Sequence, residues 1–294
     1  MRMMSVWMAA WLVSGCSMAI DETTVFAPPA VEQRAQSGED LTARWPIDRL
    51  LEASPGAEAQ HGFLGEPTER VAYTLVTRPD SGRPLIVICG GNAADRYNSG
   101  PAYASKALPF GDVLLFDYPG YGDSEGEPSR ARLEKASRLV AEFAVATASD
   151  QRPLVLWGHS LGGFVCGEMA RQTPQTDAVI LETTARSADE VADAWTPWYA
   201  APFLRIDVAE GLATYDTAAA LQSSRVPVLV LGAGRDDTLP VTLSRSLVAA
   251  LQSNGVGVTY VEFPDAGHQN VWRQPNFAAE VSPFFNALRS AQAE

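Results

Sequence analysis

The chain has 294 residues, 46% hydrophobic and 19% charged, enough to bury the core of one large domain or two small ones. Lys and Arg total 22 against 35 Asp and Glu, a net charge of -13; phosphate binding needs clustered cations, so a broad nucleic-acid surface is excluded. Only three cysteines and three histidines are available for nucleophilic and acid–base chemistry.

Taken in chain order, Arg2 precedes the apolar run SVWMAAWLV and then SGCSMA, the layout of a secretory signal whose apolar part is too short to span a bilayer. Val13-Ser14-Gly15-Cys16 resembles the bacterial lipobox. That resemblance implies a signal peptide over 1–15, cleavage before Cys16 and acyl chains on Cys16. Several chains on one residue anchor a protein stably, whereas a single chain binds only marginally. A plain secretory signal with an incidental cysteine is the alternative. Ser17 stands where inner-membrane lipoproteins commonly carry aspartate, so the expected location is the bacterial cell envelope, at the outer membrane. Residues 16–60, with APPAVEQRAQSGED and no sustained period, read as a tether and N-terminal extension.

Residues 61–294 read as one α/β domain. Seven apolar runs, RVAYTLV, PLIVICGG, DVLLFDYPG, PLVLWGHS, DAVILET, VPVLVLGAG and GVTYVEFPD, fit strands. Ser129 to Thr147, Leu161 to Thr173, Thr242 to Asn254 and Phe277 to Gln292 fit helices. Continuous apolar strands alternating with helices predict a mostly parallel sheet covered on both faces. Residues 183–224 break the alternation with WTPWYAAPF, and two readings compete. One is a cap-like insertion roofing a pocket at the carboxyl ends of the strands; the other is an edge segment packing its aromatics into the core. Cys89 and Cys166 lie in apolar stretches and read as two buried thiols, with no bridge expected.

Gly158-His159-Ser160-Leu161-Gly162 joins a predicted strand to a predicted helix and fits the G-x-S-x-G elbow, which lifts a serine hydroxyl above a sheet. Ser160 is therefore the candidate nucleophile, and it needs a base. His61 precedes the predicted sheet in an irregular region, and the His159 side chain diverges from that of its neighbour Ser160. His268, on the loop DAGHQNV after the last strand, is left as the base. The acid that orients it comes from GRDDTLP. Ending the strand at Leu231 and reading Pro240 as a proline four residues after the acid favours Asp236, with Asp237 as the rival. Oxyanion donors are expected from the Leu161 N–H at the elbow and the Asn92 N–H in CGGNAAD.

The order of GGNA, DYPGYGDSEGEPS, GHSLGG, GRDDTLP and DAGHQNV resembles the α/β-hydrolase superfamily over about residues 63 to 290, especially its serine hydrolases. Gly90 stands where that family often has histidine, and Pro119 where it often has arginine. The resemblance implies the α/β-hydrolase fold and a Ser160–Asp236–His268 enzyme acting on carboxylic esters, thioesters or lipid-like substrates. It also implies that Tyr118 and Tyr121 shape the site. No metal or organic cofactor is required, because these groups supply nucleophile, base and electrostatic stabilisation. The competing functions are a peptidase or amidase on the same scaffold and a non-catalytic binding lipoprotein. An aspartate-based dehalogenase or epoxide hydrolase is disfavoured by Ser160.

Overall fold

The computed structural model describes residues 16–20, 22–26, 28, 56–79, 82–148, 152–196 and 204–292. The expected signal peptide, most of the tether and the stretch 197–203 lie outside these residues. The described strands are β1 (Cys16–Ile20), β2 (Glu58–Leu64), β3 (Val71–Thr77), β4 (Leu85–Cys89), β5 (Asp112–Phe116), β6 (Leu154–His159), β7 (Ala178–Glu182), β8 (Leu204–Val208), β9 (Val228–Ala233) and β10 (Val258–Phe263). Eight of them form one sheet in the order β10-β9-β7-β6-β4-β5-β3-β2. From β10 through β5 the pairing is parallel, and β3 and β2 join antiparallel at one edge.

Side chains alternate across each strand with a period of two, and the sheet buries both faces accordingly. Leu85, Val87, Leu154 and Leu156 enter one core, against the helices Arg130–Ala148, Leu161–Gln172, Thr217–Ser224 and Val241–Ser253. Ile86, Ile88, Val155 and Trp157 enter the other, against the helices Gly100–Ala107 and Phe277–Gln292. Unbroken apolar runs are what a doubly covered parallel strand requires.

Three sequence expectations need correction. The sheet has eight strands, not seven: β2 reads EAQHGFL and is half exposed along an antiparallel edge, so it lacks the apolar continuity that marked the others. His61 consequently lies inside a strand, with Nδ1 2.9 Å from Thr74 Oγ1, and the boundary drawn at residue 61 cuts that strand. The N-terminal extension is also not uniformly a tether. Residues Cys16–Ile20 pair in parallel with β8, Cys16 opposite Leu204, and Phe26 is buried in the main core. Segments this short carry too few residues to display a period.

The third correction concerns the thiols. Cys89 at the end of β4 and Cys166 in the helix Leu161–Gln172 are joined by a disulfide, with Cα atoms 6.0 Å apart across 77 residues of sequence. The approach depends on Gly162, where a Cβ would lie 1.9 Å from the Cys89 carbonyl oxygen. A crosslink closing so long a loop restricts the unfolded chain. The Cys89→Ala/Cys166→Ala variant is expected to lose about 2–4 kcal/mol of stability in urea unfolding; an unchanged midpoint would show that the bond contributes nothing.

Candidate active site

The strand order reverses between β4, followed in sequence by β5 on one side, and β6 on the other, and ligands of open α/β sheets bind at such switch points. Cys89 pairs with Gly158, and His159 pairs with Glu182 of β7. The turns leaving β4, β6 and β7 therefore lie side by side at the carboxyl edge.

Ser160 occupies the turn after β6 with φ 54° and ψ -120°, a region L residues rarely adopt. Hydrogen bonds hold it there. The Ser160 N–H donates to the Glu182 carbonyl at 3.0 Å, while the Ser160 carbonyl accepts from the Gly163 N–H at 2.9 Å and from Thr184 Oγ1 at 2.7 Å. The neighbouring glycines permit close packing: a Cβ on Gly158 would lie 2.3 Å from the Gly162 carbonyl oxygen, and one on Gly163 2.3 Å from Thr184 Oγ1. Leu161 is the first residue of the following helix, where amides have no intrahelical acceptor and attract anions. Thr183 adopts φ 46° and Ala93 φ 56°, so strained backbone gathers on three neighbouring loops, as it does at functional sites.

Asn92 lies on the turn after β4, and three tyrosines pin that turn. Tyr118 OH donates to the Gly90 carbonyl at 2.6 Å, the Gly91 N–H donates to Tyr103 OH at 3.0 Å, and Tyr121 OH donates to Asn92 Oδ1 at 3.0 Å. Burial raises the pKa of all three phenols, which keeps them protonated. The glycine at position 90 thus leaves the turn anchored, with Tyr118 and Tyr121 holding it.

On the loops after β9 and β10, His268 Nδ1 donates to Asp236 Oδ2 at 2.8 Å. Asp236 Oδ1 accepts from the Thr238 and Leu239 N–H groups at 2.9 and 2.8 Å, and both side chains are buried. Asp237 is exposed, so the structure selects Asp236 as the partner of His268. With Nδ1 committed to Asp236, Nε2 carries the lone pair that a base uses. Ser160 Oγ makes no hydrogen bond among the described residues; the elbow and the His268 loop meet through His159 Nε2, 3.0 Å from the His268 carbonyl oxygen. Trp195, 51% exposed, ends the helix Ala188–Trp195 and donates its indole N–H to the Thr238 carbonyl at 2.7 Å. That aromatic of the insertion therefore sits on the acid loop rather than in the core.

Further groups carry no sequence signal. The His159 ring is buried, with Nδ1 3.1 Å from Tyr103 OH and Nε2 3.0 Å from the His268 carbonyl oxygen. Burial pushes its pKa down to about 4, so the ring is neutral at neutral pH. Beneath it, Lys106 and Glu182 form a buried ion pair, and the Trp157 indole N–H donates to the same Glu182 oxygen at 2.9 Å. Burial pushes Lys106 down, opposed by Glu182. For Glu182, burial is the largest influence and acts upward, but Lys106, His159 and the Trp157 indole together hold the carboxyl below its usual range. No local motif could have found Tyr103 or Lys106, since both reach the site only through the packing of the helix Gly100–Ala107 on the sheet.

Comparisons with known proteins bear on the family and the fold. Residues 101–281 match the Alpha/beta hydrolase family. An uncharacterized protein of Mycobacterium tuberculosis is 35% identical over 190 residues, 64% of this chain and 63% of that protein. The lysophosphatidylserine lipase ABHD12 of Danio rerio is 29% identical over 229 residues, 70% of this chain and 59% of that protein. The chain thus spans less than two thirds of either relative. Among solved structures, a Pyrococcus furiosus esterase superposes with a TM-score of 0.61 at 13% identity, covering 90% of this chain and 96% of that one. A Vibrio vulnificus alpha-beta hydrolase gives 0.63 at 19% identity, covering 82% and 84%. With a match spanning more than half its length and the strand order described above, the chain belongs to the alpha/beta hydrolase family.

Proposed function

We propose that the protein is a serine hydrolase that cleaves carboxylic ester or thioester bonds through an acyl-enzyme on Ser160. The observation that carries this reading is the buried Asp236–His268 hydrogen bond of 2.8 Å on loops beside a serine held at φ 54°. In the reaction, His268 Nε2 takes the Ser160 hydroxyl proton as Oγ attacks the acyl carbon. The Leu161 and Asn92 N–H groups bind the oxyanion, and Asp236 stabilises the imidazolium. His268 then returns the proton to the departing alcohol or thiol, and water repeats the sequence to free the acid. Lipid-like acyl substrates are supported by the lysophosphatidylserine lipase among the relatives and by the exposed Trp195 ring beside the acid loop.

A panel of p-nitrophenyl esters and thioesters of graded acyl length tests the reading. A burst followed by turnover is expected, together with labelling at one equivalent by a fluorophosphonate. Absence of both across neutral pH would leave a binding protein on this fold.

The cellular setting is part of the proposal: an exported protein held in the bacterial envelope, at the outer membrane, by acyl chains on Cys16. The Cys89–Cys166 disulfide supports export, since such bonds persist in oxidising compartments. No helix among the described residues is long and apolar enough to cross a membrane. Replacing Cys16 by alanine is expected to move the protein from the membrane to the soluble fraction; unchanged fractionation would discard the anchor.

A further inference from the structure

We propose that His159 is a positioning residue that ties the oxyanion turn to the catalytic-histidine loop, through one directed chain of hydrogen bonds from Gly91 to the His268 backbone. This rests on the acyl-enzyme reading above and names how two parts of that site are kept in register.

The direction of the chain follows from what each atom can do. The His268 carbonyl oxygen only accepts, so His159 Nε2, 3.0 Å away, carries the proton. In the neutral ring Nδ1 then only accepts, and its partner at 3.1 Å is the Tyr103 hydroxyl, which donates. The Tyr103 oxygen in turn accepts from the Gly91 N–H at 3.0 Å. Gly91 N–H, Tyr103 OH, His159 and the His268 carbonyl are thus satisfied in a single sense. A ring protonated on both nitrogens would turn Nδ1 into a donor and leave the Tyr103 proton without this acceptor.

The chain spans two segments distant in sequence that must hold their spacing within fractions of an ångström as charge develops on the substrate oxygen. Gly91 precedes Asn92, the proposed oxyanion donor, and the carbonyl belongs to the proposed base itself. Packing reinforces the bonds: a Cβ on Gly91 would lie 2.9 Å from His159 Nδ1, so the turn rests directly on the ring. Thr183 Oγ1 adds a longer donation to the same His268 carbonyl, 3.4 Å. Glu182, which pairs with Lys106 through its buried carboxylate, also accepts the Ser160 N–H at its backbone carbonyl at 3.0 Å.

Glutamine at position 159 can still donate near the Nε2 position but offers no imidazole acceptor to Tyr103, whereas alanine offers neither. Misplacement of a reacting group by about an ångström costs on the order of a hundredfold. The expected result with a p-nitrophenyl ester is therefore a fall in kcat of about a hundredfold for His159→Ala and about tenfold for both His159→Gln and Tyr103→Phe. KM should stay within about twofold, because the chain touches no substrate. The His159→Gln/Tyr103→Phe double variant should lose little beyond either single change, since each breaks the same chain.

Should His159→Ala not fold, the glutamine and phenylalanine variants carry the test alone. Wild-type kcat in both, losses that multiply in the double variant, or losses appearing in KM instead would overturn the positioning role. Those outcomes leave the Ser160 reading intact, whereas absence of burst and fluorophosphonate labelling in the wild type would remove that reading itself.

Discussion

Replacing Ser160 by alanine is expected to lower ester turnover by about a millionfold and to abolish fluorophosphonate labelling, with the fold retained. The size of the effect follows from the division of labour. The Asp236–His268 pair supplies proton transfer only when a nucleophile is present to lose a proton, so removing the alcohol idles all three groups together. What remains is about a thousandfold over water from the oxyanion donors and substrate binding. The backbone makes a second, independent check possible. Ser160 sits at φ 54°, a conformation that costs about 1–3 kcal/mol for a residue with a side chain. Glycine adopts it without that cost, so Ser160→Gly is expected to be inactive yet more stable than Ser160→Ala in thermal unfolding. Activity persisting in either variant would place the nucleophile elsewhere.

The Asp236→Asn variant is expected to lose about ten-thousandfold in kcat, whereas Asp237→Asn should stay within about twofold. The substituted amide can keep its oxygen on the Thr238 and Leu239 N–H groups, but the atom facing His268 Nδ1 would then be an NH2 group. Two donors cannot share that contact, so the imidazole would take the opposite tautomer, with its proton on Nε2 and no lone pair for the serine. Asp237 is exposed and carries no such link. Measuring kcat for both variants across neutral pH discriminates sharply. Equal losses, or a larger loss at position 237, would contradict the loop geometry on which the proposed mechanism stands.

Much of this site was legible in the residues themselves because the chemistry demands unusual local sequence. A sharp strand-to-helix turn needs glycines where a Cβ would meet its neighbours, and Gly158, Gly162 and Gly163 announce it. Unbroken apolar runs bounded by turns marked seven of the eight sheet strands, while β2, amphipathic and at an edge, showed no comparable pattern. With three histidines in the chain, elimination reached His268, and the Asp236/Asp237 ambiguity shows where elimination stops: adjacent residues of one type in one loop differ only in the direction the backbone points them.

The sequence by itself determined the class of fold and pointed to the serine and histidine that the proposed chemistry assigns as nucleophile and base, because periodicity and turn chemistry are local properties written along the chain. Tertiary structure alone decided which aspartate meets His268 and that Cys89 and Cys166 are bonded. It also decided that His159, set aside as a bystander of the elbow, bridges Tyr103 and the His268 carbonyl. Each of these is a contact between segments dozens of residues apart, and its existence depends on helix-to-sheet approach and loop direction to within an ångström, which no local pattern encodes.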